Sequence, residues 1–303
     1  MKTKVHIRFD AEDIPGGAAA ILTPSGCGPD VTDVSDWAIM NSRRVTVRIE
    51  LVEGDERAAK VFALLQQHGV EFKSFTYIEY SEEDRQGAQL LWMSRDVNEN
   101  VSAGLQYGTK YDMVEACANC GTGARQASAL YVDGDDLAKI RKHRAIGTWQ
   151  QQILVDGGMV KKLKDAGVTG ISFGDVRARL RNEKWTSVAR DQVLIEHTMP
   201  PMRGELTAED EQDLCKVCRR GGRRVFPRKP YREDVPYREE DLAGMQDFNL
   251  TWEWFGDFWP EDKEKGRGAK RPFPFVLVTP KVMNIFREAG VKTFDWTPVA
   301  IEA

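Results

Sequence analysis

The sequence predicts an α/β protein, with an N-terminal βαβ-type subdomain followed by a metal-tied domain that holds two repeated strand–helix–strand units. Three observations carry this prediction. Strand and helix patterns alternate in the N-terminal part, one segment recurs later in the chain, and four of the five cysteines form two Cys-x-x-Cys pairs. We expect the subdomains to span residues 1–110 and 111–303. A chain of 303 residues with 41% hydrophobic content is long enough to bury a core in each.

The N-terminal subdomain is predicted from alternating hydrophobicity and one amphipathic helix. Residues 45–51 alternate apolar and polar side chains as a half-buried strand does. Residues 55–69 begin with acidic residues, place Val61, Leu64 and Leu65 on one face and end at Gly69, which is typical of a helix. We expect strands at residues 5–9, 45–51, 70–80 and 89–93, and a turn-rich loop from residue 10 to residue 42.

An internal repeat defines the second domain. Residues 153–176 align without gaps to residues 276–299, and each copy predicts a strand, a helix, a glycine that ends the helix and a second strand. Identical pairs are Leu154 and Leu277, Val155 and Val278, Ala166 and Ala289, Gly167 and Gly290, Val168 and Val291, and Val176 and Val299. Two copies of one unit are most simply packed side by side, and their role is architectural. Further strands are expected at residues 129–133 and 191–197, and a helix at residues 135–143.

The four paired cysteines are Cys117, Cys120, Cys215 and Cys218. A Cys-x-x-Cys turn presents two thiolates on one side of a tight loop, and two such turns supply the four sulfur ligands of a closed structural zinc site. The segment between the pairs is longer than in a common zinc ribbon, so the ion would join distant parts of the chain. The alternatives are a thioredoxin-like redox pair, disulfides or no site. The glycines that follow Cys120 favour a turn over the helix that a redox pair needs.

Composition restricts the function classes. The formal net charge is −4, so general nucleic-acid binding is not expected. The N-terminus lacks the apolar segment of a secretory signal, and no stretch approaches the roughly 18 apolar residues of a membrane span. We therefore expect a cytoplasmic protein without membrane contact, in which Cys27 is a plain thiol. The four histidines are dispersed and no Walker, dinucleotide-binding or Gly-x-Ser-x-Gly motif occurs, so we do not expect an enzyme.

Two segments are candidate binding surfaces. Residues 219–232 are basic and carry two aromatic side chains, which fits a solvated loop, a protein-binding surface or a nucleic-acid contact. Residues 247–262 are acidic and aromatic. They fit either the core face of a strand, formed by Phe248, Leu250, Trp252 and Trp254, or a surface for a basic partner. For the partner surface, the candidate contact residues are Asp247, Trp252, Glu253, Trp254 and Asp257.

The order of these features resembles the bacterial double-CXXCG motif proteins. The resemblance covers residues 117–299 and rests on Cys117-Ala-Asn-Cys120-Gly121, the first repeat copy, Cys215-Lys-Val-Cys218, the Asp247-Phe248 segment and the closing copy. Arg219 stands where the second motif would have glycine, the first motif comes late in the chain, and residues 1–110 are unmatched. The resemblance implies a role in immunity against polymorphic toxins, in which the chain binds a cognate toxin and blocks its active site.

The sequence thus predicts a cytoplasmic immunity protein that binds and neutralises a cognate bacterial toxin, with Zn²⁺ as a structural ion. Because the active sites of nuclease toxins are often basic, the acidic and aromatic segment is the expected contact. The alternative is a zinc-containing nucleic-acid-binding or regulatory protein.

Overall fold

A computed structural model describes residues 1–12, 14–39, 42–96, 100–180, 184–203, 211, 214–222, 237–256 and 272–302. Within these ranges the protein is a mixed α/β structure, as the sequence predicts. It divides into two compact units, of which the first spans residues 1–81 and the second begins at Glu82. Within the described ranges, no helix is long and apolar enough to cross a membrane.

The first unit is an antiparallel sheet with two helices. Its elements are β1 (Lys2–Asp10), α1 (Ala19–Ser25), β2 (Thr32–Ile39), β3 (Ser42–Val52), α2 (Glu56–Gln67) and β4 (Phe72–Glu79). The strand order is β2-β3-β1-β4, and Val61 and Leu65 of α2 are buried in the core of this unit. The predicted strands and helix are present here, whereas α1 and β2 lie in the region that was predicted to be a loop. The glycines and prolines around α1 hide this short helix from a pattern search.

In its described residues, the second unit contains a six-stranded sheet, a four-stranded sheet and two small strand pairs. The α-helices of this described part are α3 (Glu82–Gly87), α4 (Leu137–Lys142), α5 (Gly157–Asp165) and α6 (Pro280–Glu288). Its first strands are β5 (Leu91–Arg95), β6 (Asn100–Val101), β7 (Tyr111–Asp112), β8 (Arg125–Gln126), β9 (Leu130–Asp133), β10 (Ala145–Thr148) and β11 (Ile153–Val155). Its later strands are β12 (Ile171–Arg179), β13 (Trp185–Ile195), β14 (Tyr237–Arg238), β15 (Phe248–Phe255), β16 (Phe273–Val278), β17 (Phe294–Pro298) and β18 (Ile301–Glu302).

The order of the strands explains why the boundary between the units differs from the predicted one near residue 110. The six-stranded sheet has the order β6-β10-β11-β13-β12-β9, and the four-stranded sheet has the order β15-β16-β5-β17. Strand β5 pairs with β16 and β17, which are far away in sequence. The segment after residue 81 therefore belongs to the second unit, although it directly follows the N-terminal elements in the chain.

The two repeat copies have the same topology but lie in different sheets. In the first copy, β11 and β12 are parallel, and β13 lies between them, antiparallel to both. In the second copy, β16 and β17 are parallel, and β5 lies between them in the same way. Each copy is a split βαβ unit, in which a strand from outside the repeat fills the gap. The elements β3, α2 and β4 form a third such unit, with β1 between the strands.

Both repeat helices end with the same glycine geometry. Gly167 after α5 and Gly290 after α6 have φ angles of 59° and 77°, in the left-handed region that glycine adopts without strain. The next residue turns its N–H back to the helix: Val168 donates to the Leu163 carbonyl and Val291 to the Phe286 carbonyl, both at 3.0 Å. These bonds are those of a Schellman motif.

The two copies share one hydrophobic core, although they contribute to separate sheets. Met159 and Leu163 of α5 are buried in the same cluster as Met283 and Phe286 of α6. The cluster also includes residues of β5, β11, β13 and β16. The predicted side-by-side packing therefore occurs through the helices and the shared core rather than through one continuous sheet.

Asp247 links the two copies through hydrogen bonds. Its carboxylate accepts from the Thr169 N–H at 3.0 Å, just after the first copy's helix. It also accepts from the Thr279 hydroxyl at 2.8 Å and from the Lys281 ammonium at 2.9 Å, where α6 begins. Burial alone would raise the pKa of Asp247, but the bonds from Lys281, Thr169 and Thr279 outweigh it and lower that pKa below its ordinary value.

We predict that Asp247→Asn lowers the free energy of unfolding by about 1.5–3 kcal/mol, because hydrogen bonds to a charged acceptor are lost. The contribution of Asp247 is complete above the pKa of an unfolded Asp, about 3.9. It is lost as pH falls through the lower folded pKa, so the difference between wild type and variant should shrink in acid. Urea unfolding at several pH values measures this. Asp175→Asn, at an exposed aspartate of β12, is the matched control with little expected change. Equal effects of both variants would contradict the role of Asp247.

Candidate metal centre

The first cysteine pair lies in a tight turn between two short strands. Strands β7 and β8 pair antiparallel, and Cys117 and Cys120 lie in the segment that joins them. The Gly121 N–H donates to the Cys117 carbonyl at 2.7 Å, and the Cys117 N–H donates to the Thr122 carbonyl at 2.9 Å. Gly121 closes the turn with a φ angle of 72°, which explains why a glycine follows the second cysteine.

The second cysteine pair lies in a turn of nearly the same form. The Arg219 N–H donates to the Cys215 carbonyl at 2.9 Å, and the Cys215 N–H donates to the Gly221 carbonyl at 2.8 Å. Arg219 occupies the position of Gly121 and has a φ angle of 59°. The glycine that the motif lacks in sequence is therefore replaced by an arginine held in the left-handed region, which costs an L-residue about 1–2 kcal/mol.

The structure brings all four predicted cysteines together. Their Sγ atoms all lie within 4.8 Å of one another. The Sγ atoms of Cys117 and Cys215 are 3.7 Å apart, and those of Cys120 and Cys218 are 3.5 Å apart. These separations are too long for a disulfide bond of about 2.05 Å. They are close to the roughly 3.8 Å between ligands of a tetrahedral ion with metal–sulfur bonds of about 2.3 Å. The four cysteines can thus hold a metal ion.

The electrostatics of the cluster favour a cation. Burial raises the pKa of the Cys120 thiol to about 12. Burial acts in the same direction on Cys215, but hydrogen bonds from the backbone N–H groups of Cys218 and Val217 and from Asn119 outweigh it and lower the pKa of Cys215 to about 6. The Asn119 amide reaches the Cys215 sulfur at 3.2 Å. Thiolates so close together repel one another, so four of them need a bound positive charge.

Contacts around the cysteines connect the two turns directly. A Cβ atom on Gly221 would lie 2.2 Å from the Thr122 hydroxyl and 2.8 Å from the Cys120 sulfur, so only glycine fits there. The Cys120 thiol lies 3.1 Å from the same hydroxyl, to which it can donate. Sequence reasoning missed Asn119, Thr122 and Gly221. The glycine pair at residues 221–222, which follows Cys218 much as Gly121 and Gly123 follow Cys120, was the one available signal.

The second turn is attached to strand β15 through Arg220. The Arg220 guanidinium donates to the Trp252 carbonyl at 3.1 Å and lies over the Trp252 ring, 4.7 Å from its centre. The Arg220 carbonyl accepts from the Trp254 N–H at 2.9 Å. Of the predicted basic run, Arg219 pairs with Glu211 at 3.7 Å, and residues 223–232 lie outside the described part of the chain.

The predicted partner-contact residues have different environments. Asp247 is hydrogen-bonded to both repeat copies, through Thr169 and Lys281. Glu253 is fully buried, and its carboxylate accepts from the Met202 N–H at 2.8 Å. Trp252 and Trp254 are half-buried, and Asp257 lies outside the described residues. Partner contact through the two tryptophans remains a prediction.

Strand β15 begins with the expected inward face, because Phe248 is buried in the core, and it departs from that face further along the strand. Asn249, Thr251 and Glu253 are buried, whereas Leu250, Trp252 and Trp254 are half-buried. The register of the pairing with β16 shifts between Leu250 and Trp254. The Glu253 side chain points inward because it meets the backbone N–H of Met202, and the Thr251 hydroxyl accepts from the Phe275 N–H at 3.0 Å.

Comparison with known proteins gives no family for this chain. No protein-family model matches it, and no curated protein is similar to it. The resemblance to the double-CXXCG motif proteins therefore remains a hypothesis based on the motifs themselves.

We predict that Arg219→Gly makes the metal-loaded protein more stable by about 1 kcal/mol, because glycine adopts the left-handed conformation without strain. The lost ion pair with Glu211 is exposed and contributes little. Thermal unfolding of the metal-loaded chain measures the change. Lys216→Gly, in the same turn but without a left-handed φ angle, is the matched control and should destabilise the protein. If Arg219→Gly destabilises the protein as much as Lys216→Gly does, the strain argument is wrong.

Proposed function

We propose that the four cysteines bind one structural Zn²⁺ ion and that the chain is an immunity protein that neutralises a cognate toxin by binding it. The zinc assignment is supported by the all-sulfur ligand set, which suits zinc, and by the tetrahedral spacing of the sulfurs. A closed set of four thiolates leaves no open coordination position for a substrate. The ion would therefore shape a binding protein rather than catalyse a reaction.

The observation that carries the immunity proposal is the paired-turn metal centre followed by the second repeat copy. Its cysteine pairs stand 98 positions apart in sequence, in the order that resembles the double-CXXCG motif proteins. The centre also holds the second turn against Trp252 of β15, in the acidic and aromatic segment. We propose that this strand, with Trp252 and Trp254 half-exposed, is part of the toxin contact. Asp247 and Glu253 would support that surface from within rather than touch the toxin.

We predict one Zn²⁺ per chain, lost in Cys215→Ser together with a large fall in the melting temperature. Zinc-finger peptides gain an apparent 10–16 kcal/mol or so from their ion at neutral pH, and part of such a term should be lost here. Elemental analysis and thermal unfolding measure both quantities. Cys27→Ala is the matched control: it removes a cysteine in the first unit, outside the cluster, and should leave the zinc content unchanged. A metal-free wild type would contradict the proposal.

The toxin-binding role is tested by co-expression in bacteria with toxins encoded beside the gene. Wild type and Cys27→Ala should restore growth and form a complex with the toxin, whereas Cys215→Ser should do neither. Trp252→Ala should retain zinc and lose toxin affinity by about tenfold or more if the tryptophan is a central contact. A soluble, zinc-loaded wild type that protects against none of these toxins would overturn the proposal. Binding to mixed DNA or RNA that falls steeply with salt would instead support the nucleic-acid alternative.

A further inference from the structure

A second feature of the second unit is a cleft of about 750 Å³ beside the metal centre. Its volume is within the range of ligand-binding pockets in proteins, roughly 300–1,000 Å³. One wall is the hairpin segment 123–126 that follows the first cysteine turn, and another is the turn 150–152 between β10 and β11. The remaining walls are the end of β13 and parts of β15 and β16.

The lining is unusually rich in side-chain amides. Five of the chain's twelve glutamines line the cleft: Gln126, Gln150, Gln151, Gln152 and Gln192. A glutamine amide both donates and accepts hydrogen bonds and carries no charge. Leu194, Leu250 and Trp254 supply apolar surface between the amides. Such a lining suits a ligand that alternates donors and acceptors along its length.

Gln150 is held in place without using all its hydrogen-bonding groups, and Gln151 beside it has an unusual backbone conformation. Gln150 packs so closely over Gly104 that a Cβ atom there would lie 2.4 Å from its Oε1 atom. The Oε1 atom of Gln150 accepts from Gln152, and within the described chain its Nε2 atom has no protein partner. Gln151 has a φ angle of 64°, a conformation that is strained for a residue other than glycine. Backbone strain of this kind is concentrated at binding and catalytic sites.

Part of a strand edge faces the same cleft. Strand β11 pairs with residues 191–193 of β13, whereas residues 194–196 continue past its end and line the cleft. The chain beyond β13 meets β15 at a single bridge between Thr198 and Leu250. The Glu196 N–H donates to the Gly170 carbonyl on the β12 side, so the open edge between that bridge and the end of β11 is the backbone of Ile195, which has no described ladder partner on the cleft side. A short strand edge next to free amide groups favours a ligand with a peptide backbone.

The charges of the lining are balanced. The charged residues among the described lining are Glu115, Arg125, Glu196 and Arg220, two of each sign. Glu115 and Arg125 pair with each other at 2.6 Å, and Arg220 lies on Trp252. A strongly charged ligand would therefore find no excess of opposite charge.

We propose that this cleft binds an extended, uncharged peptide segment of a partner protein, through the edge of β13 and the amides of Gln150 and Gln151. The site would bind such a segment whether or not the partner is a toxin. The cleft shares Trp254 with the proposed toxin contact, but the two proposals have different tests, peptide selection and growth protection, so the failure of one leaves the other standing.

The metal centre holds one wall of this site. Gln126 on β8 and Gln192 on β13 form a reciprocal amide pair, with N–O distances of 2.7 and 3.0 Å. Strand β8 continues the hairpin that carries Cys117 and Cys120. Metal binding that orders the hairpin therefore also orders the peptide site, and the two binding equilibria are coupled.

The test is selection of random octapeptides displayed on phage against the metal-loaded full-length chain. We expect enriched peptides without charged residues in their central positions. Their affinity should fall about tenfold or more in Gln150→Ala/Gln151→Gly, which removes two amides and leaves the left-handed position to a glycine. Gln106→Ala, at an exposed glutamine outside the cleft, is the matched control and should bind like wild type. Metal content and melting temperature verify that each variant is folded.

Hydrogen exchange supplies a second readout. The Glu196 N–H already donates to the Gly170 carbonyl at 3.1 Å, so alternation along the strand leaves the Ile195 amide on the open side, and a bound peptide should protect that amide. Removal of the metal by a chelator should weaken peptide binding. The proposal fails if no peptide is enriched, if enriched peptides bind the double variant as well as wild type, or if they are mainly charged. It also fails if adenosine or maltotriose, and no peptide, binds the cleft and loses affinity in the double variant.

Discussion

The requirement that four thiolates share one small volume governs the second unit. Close negative sulfurs repel one another, and the buried Cys120 resists ionisation, so the cluster forms a stable tetrahedral set when a cation binds. That ion would join two turns 98 positions apart in sequence. The turns also contact each other through Gly221 and Thr122, and Arg220 carries the connection to β15. A bound ion would thereby help to fix the position of a strand in a different part of the chain.

The remaining order of this unit comes from split βαβ units. A strand–helix–strand segment leaves a gap between its parallel strands, and here the gap is filled by β13 in one copy and β5 in the other. Strand β13 directly follows the first copy in sequence, whereas β5 precedes the second copy by a long stretch of chain. This arrangement ties β5 to the C-terminal part of the chain, and Asp247 then fixes the two copies to each other by charged hydrogen bonds.

Sequence reasoning succeeded where the cause of a structure is local. The left-handed glycines Gly167 and Gly290 end their helices, and the cysteine spacing forces tight turns, so these features could be read from short segments. It failed where the cause is distant. Nothing near residues 91–95 indicates a partner strand close to the C-terminus. On β15 the expected core residue Phe248 is buried, but Trp252 and Trp254 are only half-buried. The buried residue between them is Glu253, which accepts from the Met202 N–H, a contact that alternation of hydrophobicity cannot show.

The metal centre and the cleft share one backbone feature that the sequence alone could not predict. Among the described residues, Arg219 and Gln151 are the two that adopt a positive φ angle without being glycine. One closes the second cysteine turn, and the other lies in the turn that lines the amide cleft. Each conformation costs free energy that a glycine would avoid. The surrounding contacts must therefore compensate for this cost in stability. The side chains that a glycine would lack give a reason for it. Arg219 adds a guanidinium at the edge of the metal centre, where it pairs with Glu211, and Gln151 adds an amide to the wall of the cleft that we propose as a peptide site.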